Sequence, residues 1–169
     1  MTVFVAFLRA VNVGGTGSLP MRDLREMCNE LGLADVQTYI ASGNLRFGSD
    51  ESKESIKAAL EGKLRDYAGK DVRVVVRTAS ELRAILNKNP FPDRDPRFTL
   101  AIFLDRKPPK DALDKATGRN DEEMQLGTRE IYVYYGSGMG RSKLKIPAAK
   151  DGTARNMNTI KKMVALSSE

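Results

Sequence analysis

The order in which short apolar strands and amphipathic helices follow one another constrains the fold of this 169-residue chain more than any other feature. Four runs in the first half have strand character, and they lie at 2–8, 35–41, 44–48 and 71–77. Apolar residues at helical spacing predict one helix from Pro20 to about Gly32 and another over 52–67. The resulting order, β-α-β-β-α-β, is that of a split βαβ plait, also called a ferredoxin-like fold.

The second half of the chain repeats this order of elements. Thr78 and Glu81 form a capping box that begins a helix, which runs to about Lys88 and is stopped by the Asn89-Pro90 pair. Beyond the proline-rich segment PFPDRDP, strands are predicted at 98–104, 122–126 and 129–135, and helices over 109–116 and 155–166.

These two cycles predict an α+β protein made of two tandem ferredoxin-like domains with antiparallel sheets. The predicted first plait covers residues 1–77, a helix and proline-rich connector covers 78–97, and the second plait covers 98–169. Internal duplication of the plait is the simplest account of the repeated order.

Composition limits the class of protein. Hydrophobic residues make up 41% and charged residues 30% of the chain, which is typical of a globular protein and not of a disordered one. No run approaches the roughly 18 apolar residues of a membrane helix, and the N-terminal stretch reaches Arg9 too soon for a signal peptide. A single cysteine offers no disulfide framework, so we expect a reducing, cytoplasmic setting and no membrane partner.

The absence of histidine excludes several chemistries. There is no Ser-His or Cys-His nucleophile pair, no His-ligated zinc and no imidazole base. Cys28 shares a predicted helix face with Met21, Leu24 and Leu31, which indicates a core thiol. We predict no cofactor and no metal, and whether the protein is an enzyme stays open.

Two loops of the first plait are predicted to lie together. In an antiparallel plait, the turn after strand one and the turn between strands two and three emerge at the same end of the sheet. Here these turns are RAVNVGGTGS (9–18) and ASGN (41–44). Their candidate ligand-binding residues are Arg9, Asn12, Gly14, Gly15, Ser42, Gly43 and Asn44. Glycine N–H groups and the start of the next helix would favour an anion. The alternative is that these residues are ordinary turn formers.

A third loop, GSGMGRSKL at 136–144, contains three glycines followed by cations. Its spacing fits neither a Walker loop nor a dinucleotide-binding loop. Residues 136–169 hold seven basic and two acidic residues, which is a net +5 of the chain's +6. This skew indicates either an electropositive binding surface or a solvated basic face.

The last helix has a predicted apolar side and a predicted polar side. Ile160, Met163, Val164 and Leu166 form the buried side. The residues expected to point outward or towards a ligand are Arg155, Asn158, Thr159, Lys161 and Lys162.

Plait folds include RNA-recognition modules, so nucleic acid is one partner to consider. Strand one is apolar on both faces, which argues against an open binding sheet, and SGNLRFGS fails the aromatic RNA-binding pattern. Tyr132 and Tyr134 share one face of their strand, where they either stack bases or pack against another sheet or subunit.

Five ordered motifs carry a family resemblance. LRAVNVGG (8–15), TYIASGN (38–44), NPF (89–91), GRSKL (140–144) and TARNMNT (153–159) resemble the successive motifs of the bacterial family called domain of unknown function 1697. The resemblance implies a pair of ferredoxin-like plaits, and it implies no established reaction.

The family's motif positions add residues near the C-terminus to the candidate set. These are Gly140, Arg141, Ser142, Lys143, Arg155, Asn156, Asn158 and Thr159. The chain departs from the pattern twice, with Ala10 where the family usually has glycine and Met157 where it usually has tryptophan. Loss of the indole weakens any stacking role for the last helix, whereas methionine could fill a hydrophobic gap there.

Together these features predict recognition of a phosphate-bearing ligand, either nucleic acid or a nucleotide, by the first-plait loops jointly with the Arg141–Lys143 and Arg155–Thr159 segments. The arginines would make forked contacts and Lys143 would act as a point charge. Two alternatives stay open. One is a histidine-independent enzyme that activates Ser42 or Ser142 through Lys143, or stabilises charge on a transferring phosphoryl group. The other is a structural or oligomerising protein, such as a homodimer sealed by the tyrosine face.

Overall fold

The computed structural model describes residues 1–12 and 18–168, which form two compact units. The first unit comprises residues 1–83 with 162–169, and the second comprises 84–161. The division falls inside the predicted connector. Residues 162–169, which the sequence assigns to the second plait, group with the first unit. There Arg83 Nη2 donates to Ser168 Oγ at 3.2 Å, and Lys162 Nζ lies 5.9 Å from the centroid of the Tyr39 ring.

The first unit is built around a four-stranded antiparallel sheet. Its strands are β1 (Thr2–Leu8), β2 (Ala34–Thr38), β3 (Asn44–Ser49) and β4 (Val74–Thr78), in the spatial order β2-β3-β1-β4. Its connecting helices are α1 (Met21–Glu30) and α2 (Lys53–Ala68).

The core of the first unit lies between this sheet and the two helices. Phe4 and Leu8 from β1 join Phe47 from β3 in one buried cluster with Leu24 of α1 and Leu60 of α2. The opposite face of β1 is also covered, since Val5 and Phe7 are fully buried. The expectation that a strand apolar on both faces is covered on both faces is confirmed.

The second unit contains another four-stranded antiparallel sheet. Its strands are β5 (Thr99–Phe103), β6 (Glu123–Leu126), β7 (Glu130–Tyr134) and β8 (Thr153–Asn156), in the order β6-β7-β5-β8. A short 3-10 helix occupies Pro147–Ala149. Helices α3 (Ala79–Asn87) and α4 (Met157–Ser167) each include residues of both units.

The capping box at the start of α3 is confirmed. Thr78 N–H donates to Glu81 Oε1 at 2.9 Å, and Glu81 N–H donates to Thr78 Oγ1 at 3.0 Å. Both side chains thus satisfy N–H groups that have no partner within the helix.

The predicted helix over 109–116 is wrong. Only isolated turns occur there, such as those closed by Ala112 N–H on Pro109 O and by Ala116 N–H on Leu113 O. A segment of this length gains too few hydrogen bonds to offset helix nucleation.

The predicted helix start at 155 is also wrong, because residues 153–156 form strand β8. This strand pairs antiparallel with β5, with Phe103 opposite Thr153 and Ala101 opposite Arg155. A four-residue edge strand has too little periodicity to be distinguished from a helix start.

Over the described residues the protein is therefore a mixed α/β protein with two four-stranded antiparallel sheets and four α-helices. Both strand orders are compatible with the predicted ferredoxin-like arrangement. No helix in the described part of the chain is both long enough and apolar enough to cross a membrane.

Candidate functional site

The turn after β1 and the turn before β3 lie against each other, as predicted. Leu8 N–H donates to Gly43 O at 2.9 Å, and Asn12 Nδ2 donates to Ala41 O at 2.7 Å. Gly14 and Gly15 lie outside the described residues. The juxtaposition of the two loops is confirmed, and their ligand-binding role stays a prediction.

Asn12 ties the two ends of its own loop together. Its Nδ2 donates to Leu19 O at 2.8 Å, and its Oδ1 accepts from Leu19 N–H at 2.6 Å. The residue has a φ of +54°, a conformation that asparagine tolerates better than most residues. Since both ends of the amide are engaged by backbone, the contacts favour the structural interpretation of this residue.

The 41–44 turn is also engaged internally. Asn44 Nδ2 donates to Tyr39 O at 2.9 Å and to Ser42 Oγ at 3.0 Å. Gly43 has a φ of +86°, and a Cβ there would lie 2.8 Å from Leu8 Cβ. Both the backbone conformation and the close packing therefore require glycine at this position.

Ala10, which replaces the family's usual glycine, has a φ of +55°. We expect Ala10→Gly to raise the free energy of unfolding by about 0.5–1 kcal/mol, because relief of left-handed strain exceeds the added entropy of glycine in the unfolded chain. The control Ala58→Gly, at an exposed position of α2, should instead lower it by about 1 kcal/mol. Urea denaturation measures both, and a destabilising Ala10→Gly would contradict the strain at this residue.

The GSGMGRSKL loop consists of two consecutive turns. Gly138 N–H donates to Tyr135 O at 3.0 Å, and Ser142 N–H donates to Met139 O at 3.1 Å. With residues 118 and 120–122, the loop surrounds a pocket of about 390 Å³. This volume is at the lower end of the range of small-molecule sites.

The side chains of Asp121 and Glu122 also line this pocket. The sequence analysis does not identify either carboxylate as a site residue. Ser137 Oγ donates to Asp121 Oδ2 at 2.5 Å, and Ser142 Oγ donates to Glu122 Oε2 at 2.5 Å. Asn120 N–H donates to Glu122 Oε1 at 2.6 Å. The hydroxyl of Ser142 and the backbone N–H of Asn120 lower the pKa of the buried Glu122 carboxyl, so it is ionised at neutral pH.

Two predicted cations of this loop are unengaged. The side chains of Arg141 and Lys143 are exposed, and neither makes a hydrogen bond or ion pair with any residue that the structure describes. The Lys143 ammonium therefore does not hydrogen-bond the Ser142 hydroxyl, which donates to Glu122 instead. No side-chain hydrogen bond among the described residues thus supports activation of Ser142 by Lys143.

The Arg155–Thr159 segment contains the end of β8 and the first residues of α4. Asn156 Oδ1 accepts from Thr159 N–H at 2.9 Å, which is a helix N-cap. Thr159 is buried and so does not point outward, which leaves its other predicted orientation, towards a ligand, as a prediction, whereas Asn158 is exposed. Met157, at the position where the resemblance expects tryptophan, is buried, with 1% of its surface exposed.

Arg155 lies on β8 and donates through Nη1 to Ala154 O at 2.9 Å. Burial lowers its pKa to about 10, which still leaves it cationic at neutral pH. Of residues 155–159, all of them described, none lines the pocket at 118–122 and 137–143.

Tyr132 and Tyr134 do not form a base-stacking pair. Tyr132 is 2% exposed and donates its hydroxyl to Ile85 O at 2.7 Å, and burial raises its pKa. The Tyr134 ring lies 6.4 Å from the Phe91 ring and 5.1 Å from Arg94 Cζ. Tertiary packing thus buries the Tyr132 ring, while the partly exposed Tyr134 ring packs beside Phe91 and Arg94.

Cys28 is fully buried, and burial raises its pKa to about 12. The core-thiol interpretation is confirmed, since the thiolate is the reactive form. Among the described residues, no group of three or more acidic or cysteine side chains could hold a metal ion.

The fold and these motifs define a class of small mixed α/β proteins with two antiparallel sheets. The chain matches the family described as "Protein of unknown function (DUF1697)" over residues 1–132, and it belongs to that family. The family suggested by the motifs is thereby confirmed, although the GRSKL and TARNMNT motifs lie beyond the matched residues.

A solved structure resembles the whole chain. The conserved bacterial protein SP0830 from Streptococcus pneumoniae is 25% identical, with a TM-score of 0.80 and 98% of each chain covered. Among curated proteins, none matches this chain.

Proposed function

We propose that this protein binds a phosphate-bearing ligand of nucleotide size in the pocket formed by residues 118–122 and 137–143. The observation that carries the proposal is the pair of unengaged cations, Arg141 and Lys143, beside a cavity of about 390 Å³. A guanidinium offers a phosphate two parallel hydrogen bonds, and an ammonium adds a point charge.

The carboxylates of Asp121 and Glu122 favour a nucleotide over bare phosphate. They would repel an anion placed close to them, but they can accept hydrogen bonds from sugar hydroxyls or from an exocyclic amino group. The pocket thus offers acceptors for a donor-rich portion of the ligand as well as cations for its phosphate. The enclosed volume also fits one nucleotide better than an extended strand.

Two broader features belong to the same proposal. We infer that the two sheets are tandem ferredoxin-like plaits, supported by their matching antiparallel strand orders. We also infer a reducing, cytoplasmic setting, which the single buried thiol of Cys28 supports.

The test is calorimetric titration of the purified protein with AMP, adenosine and inorganic phosphate. AMP should bind more tightly than either fragment alone. Arg141→Ala and Lys143→Ala should each weaken AMP binding by roughly tenfold or more, because each removes a charge-assisted contact. The matched control is the double variant Arg106→Ala/Lys107→Ala, which removes the same two residue types at exposed positions outside the pocket.

If the control variant weakened AMP binding equally, the effect would come from overall charge, and this result would contradict binding in the pocket. The same variants titrated with short single-stranded RNA at roughly 50 and 200 mM salt separate the nucleic-acid alternative. RNA binding that falls steeply with salt, without AMP binding, would favour that alternative over the nucleotide.

A further inference from the structure

The two sheets differ in how their core-facing sides are covered. In the first unit, helices α1 and α2 cover the sheet. In the second unit, the connections at 104–122 and 135–152 contain turns and one three-residue 3-10 helix in place of α-helices. The apolar face with Ile102, Ile131 and Val133 therefore packs against irregular segments that include Leu113 and Ile146.

These irregular segments leave space beside Ile102 unfilled. A cavity of about 550 Å³ remains in the second unit. It is larger than the pocket formed by residues 118–122 and 137–143, which is called the nucleotide pocket below. Its walls are mainly the apolar side chains of Ile102, Leu144, Ile146, Pro147 and Ala149. Size and lining together are typical of a small-molecule site.

Four side chains that can donate hydrogen bonds also line this apolar cavity, namely Thr117, Tyr135, Lys145 and Lys150. Thr117, Lys145 and Lys150 are exposed, and Tyr135 is half-buried. The hydroxyls of Thr117 and Tyr135 and the ammonium of Lys145 make no hydrogen bond to any residue that the structure describes. Burial and the nearby Glu122 carboxylate raise the pKa of Tyr135, so its phenol remains a donor at neutral pH. Two ammonium groups and two hydroxyls beside an apolar surface complement a ligand with an apolar body and an anionic end.

The backbone holds two of these donors in place. Thr117 N–H donates to Lys145 O at 2.9 Å, and Lys145 N–H donates to Thr117 O at 2.8 Å. The same short bridge separates the two cavities, because Gly118 and Lys143 line the nucleotide pocket and Thr117 and Lys145 line the apolar one. The apolar cavity is therefore a distinct site.

We propose that this cavity binds a small acyl carboxylate. Its hydrocarbon chain lies against Ile102, Leu144 and Ile146, and its carboxylate accepts from Lys145 and from the Tyr135 hydroxyl. This inference does not depend on nucleotide binding.

The experiment is calorimetric titration of the full chain with monomeric decanoate, decanol and decyltrimethylammonium. Decanoate should bind most tightly, decanol more weakly and the cationic amphiphile least. Lys145→Met keeps the aliphatic stem but removes the charge, and we expect it to weaken decanoate binding roughly tenfold without changing decanol binding. Lys110→Met, an exposed lysine that does not line the cavity, is the matched control and should bind decanoate like the unchanged protein.

A second pair of variants tests the location. Ala149→Phe fills the cavity from its 3-10 helix and should abolish decanoate binding while AMP binding persists. Tyr135→Phe removes only a hydroxyl, so it keeps the test valid if Ala149→Phe fails to fold, and it should weaken decanoate binding severalfold. Unchanged decanoate affinity in Lys145→Met or in folded Ala149→Phe, or equal binding of the cationic amphiphile, would overturn the proposal.

Discussion

Replacing Gly118 with alanine is expected to lower the free energy of unfolding by about 3–5 kcal/mol, the sum of left-handed backbone strain and steric overlap. Gly118 has a φ of +72°, and a Cβ there would lie only 2.0 Å from the carbonyl oxygen of Lys143. The Lys143 backbone cannot rotate away as a flexible side chain does, so the 118–122 segment must move away from residues 143–145. The same shift displaces walls of both cavities in the second unit.

Gly69 provides a matched control for this substitution. Its φ is +71°, but no atom lies within 4 Å of an added Cβ. Gly69→Ala should therefore cost only the conformational part, about 1–2 kcal/mol. Urea denaturation of both variants isolates the steric part as their difference, and equal destabilisation would show that the approach of Gly118 to Lys143 is not as close as described.

Replacing Asn12 with alanine is the second large effect that we expect. The change removes the side-chain hydrogen bonds to Leu19 and Ala41 and leaves an alanine at a φ of +54°. Three lost hydrogen bonds and the added strain together should lower the free energy of unfolding by about 2–4 kcal/mol.

Asn12→Asp separates the contributions of the amide. It keeps the oxygen that accepts from Leu19 N–H but loses both donated bonds, so its destabilisation should be intermediate. Asn29→Ala, at an exposed position of α1, should change stability by less than about 0.5 kcal/mol. An Asn12→Ala variant as stable as Asn29→Ala would contradict the role of Asn12 in closing its loop.

The candidate site was only partly predictable from sequence. Arg141 and Lys143 were identified because a glycine-rich loop with adjacent cations is visible in the sequence itself. Asp121 and Glu122 were not, since two adjacent carboxylates before a short strand are typical of any exposed turn. Only the hydrogen bonds from Ser137 and Ser142, which lie 16 and 20 residues away, identify these carboxylates as part of the pocket.

Side-chain orientation at helix α4 was similarly beyond local inference. Helical spacing left Thr159 on the polar side of α4, but the structure buries it. The motif resemblance places Asn156 among the ligand-binding candidates, yet Asn156 caps the helix because β8 ends directly before Met157. A helix cap can be recognised from sequence only once the helix start is known. Here β8 lies directly before α4, so the sequence pattern does not show where the helix starts.

Local sequence determined the order of most elements, the capping box at Thr78 and Glu81, the core position of Cys28 and the meeting of the two first-unit loops. These features depend on periodicity, on backbone groups near each helix end and on the geometry of an antiparallel plait. Tertiary structure alone decided that residues 109–116 stay irregular, that Tyr132 is enclosed and that an apolar cavity remains beside Lys145. The reason is that burial and cavity volume depend on which distant segments cover a sheet face, and no local pattern specifies that.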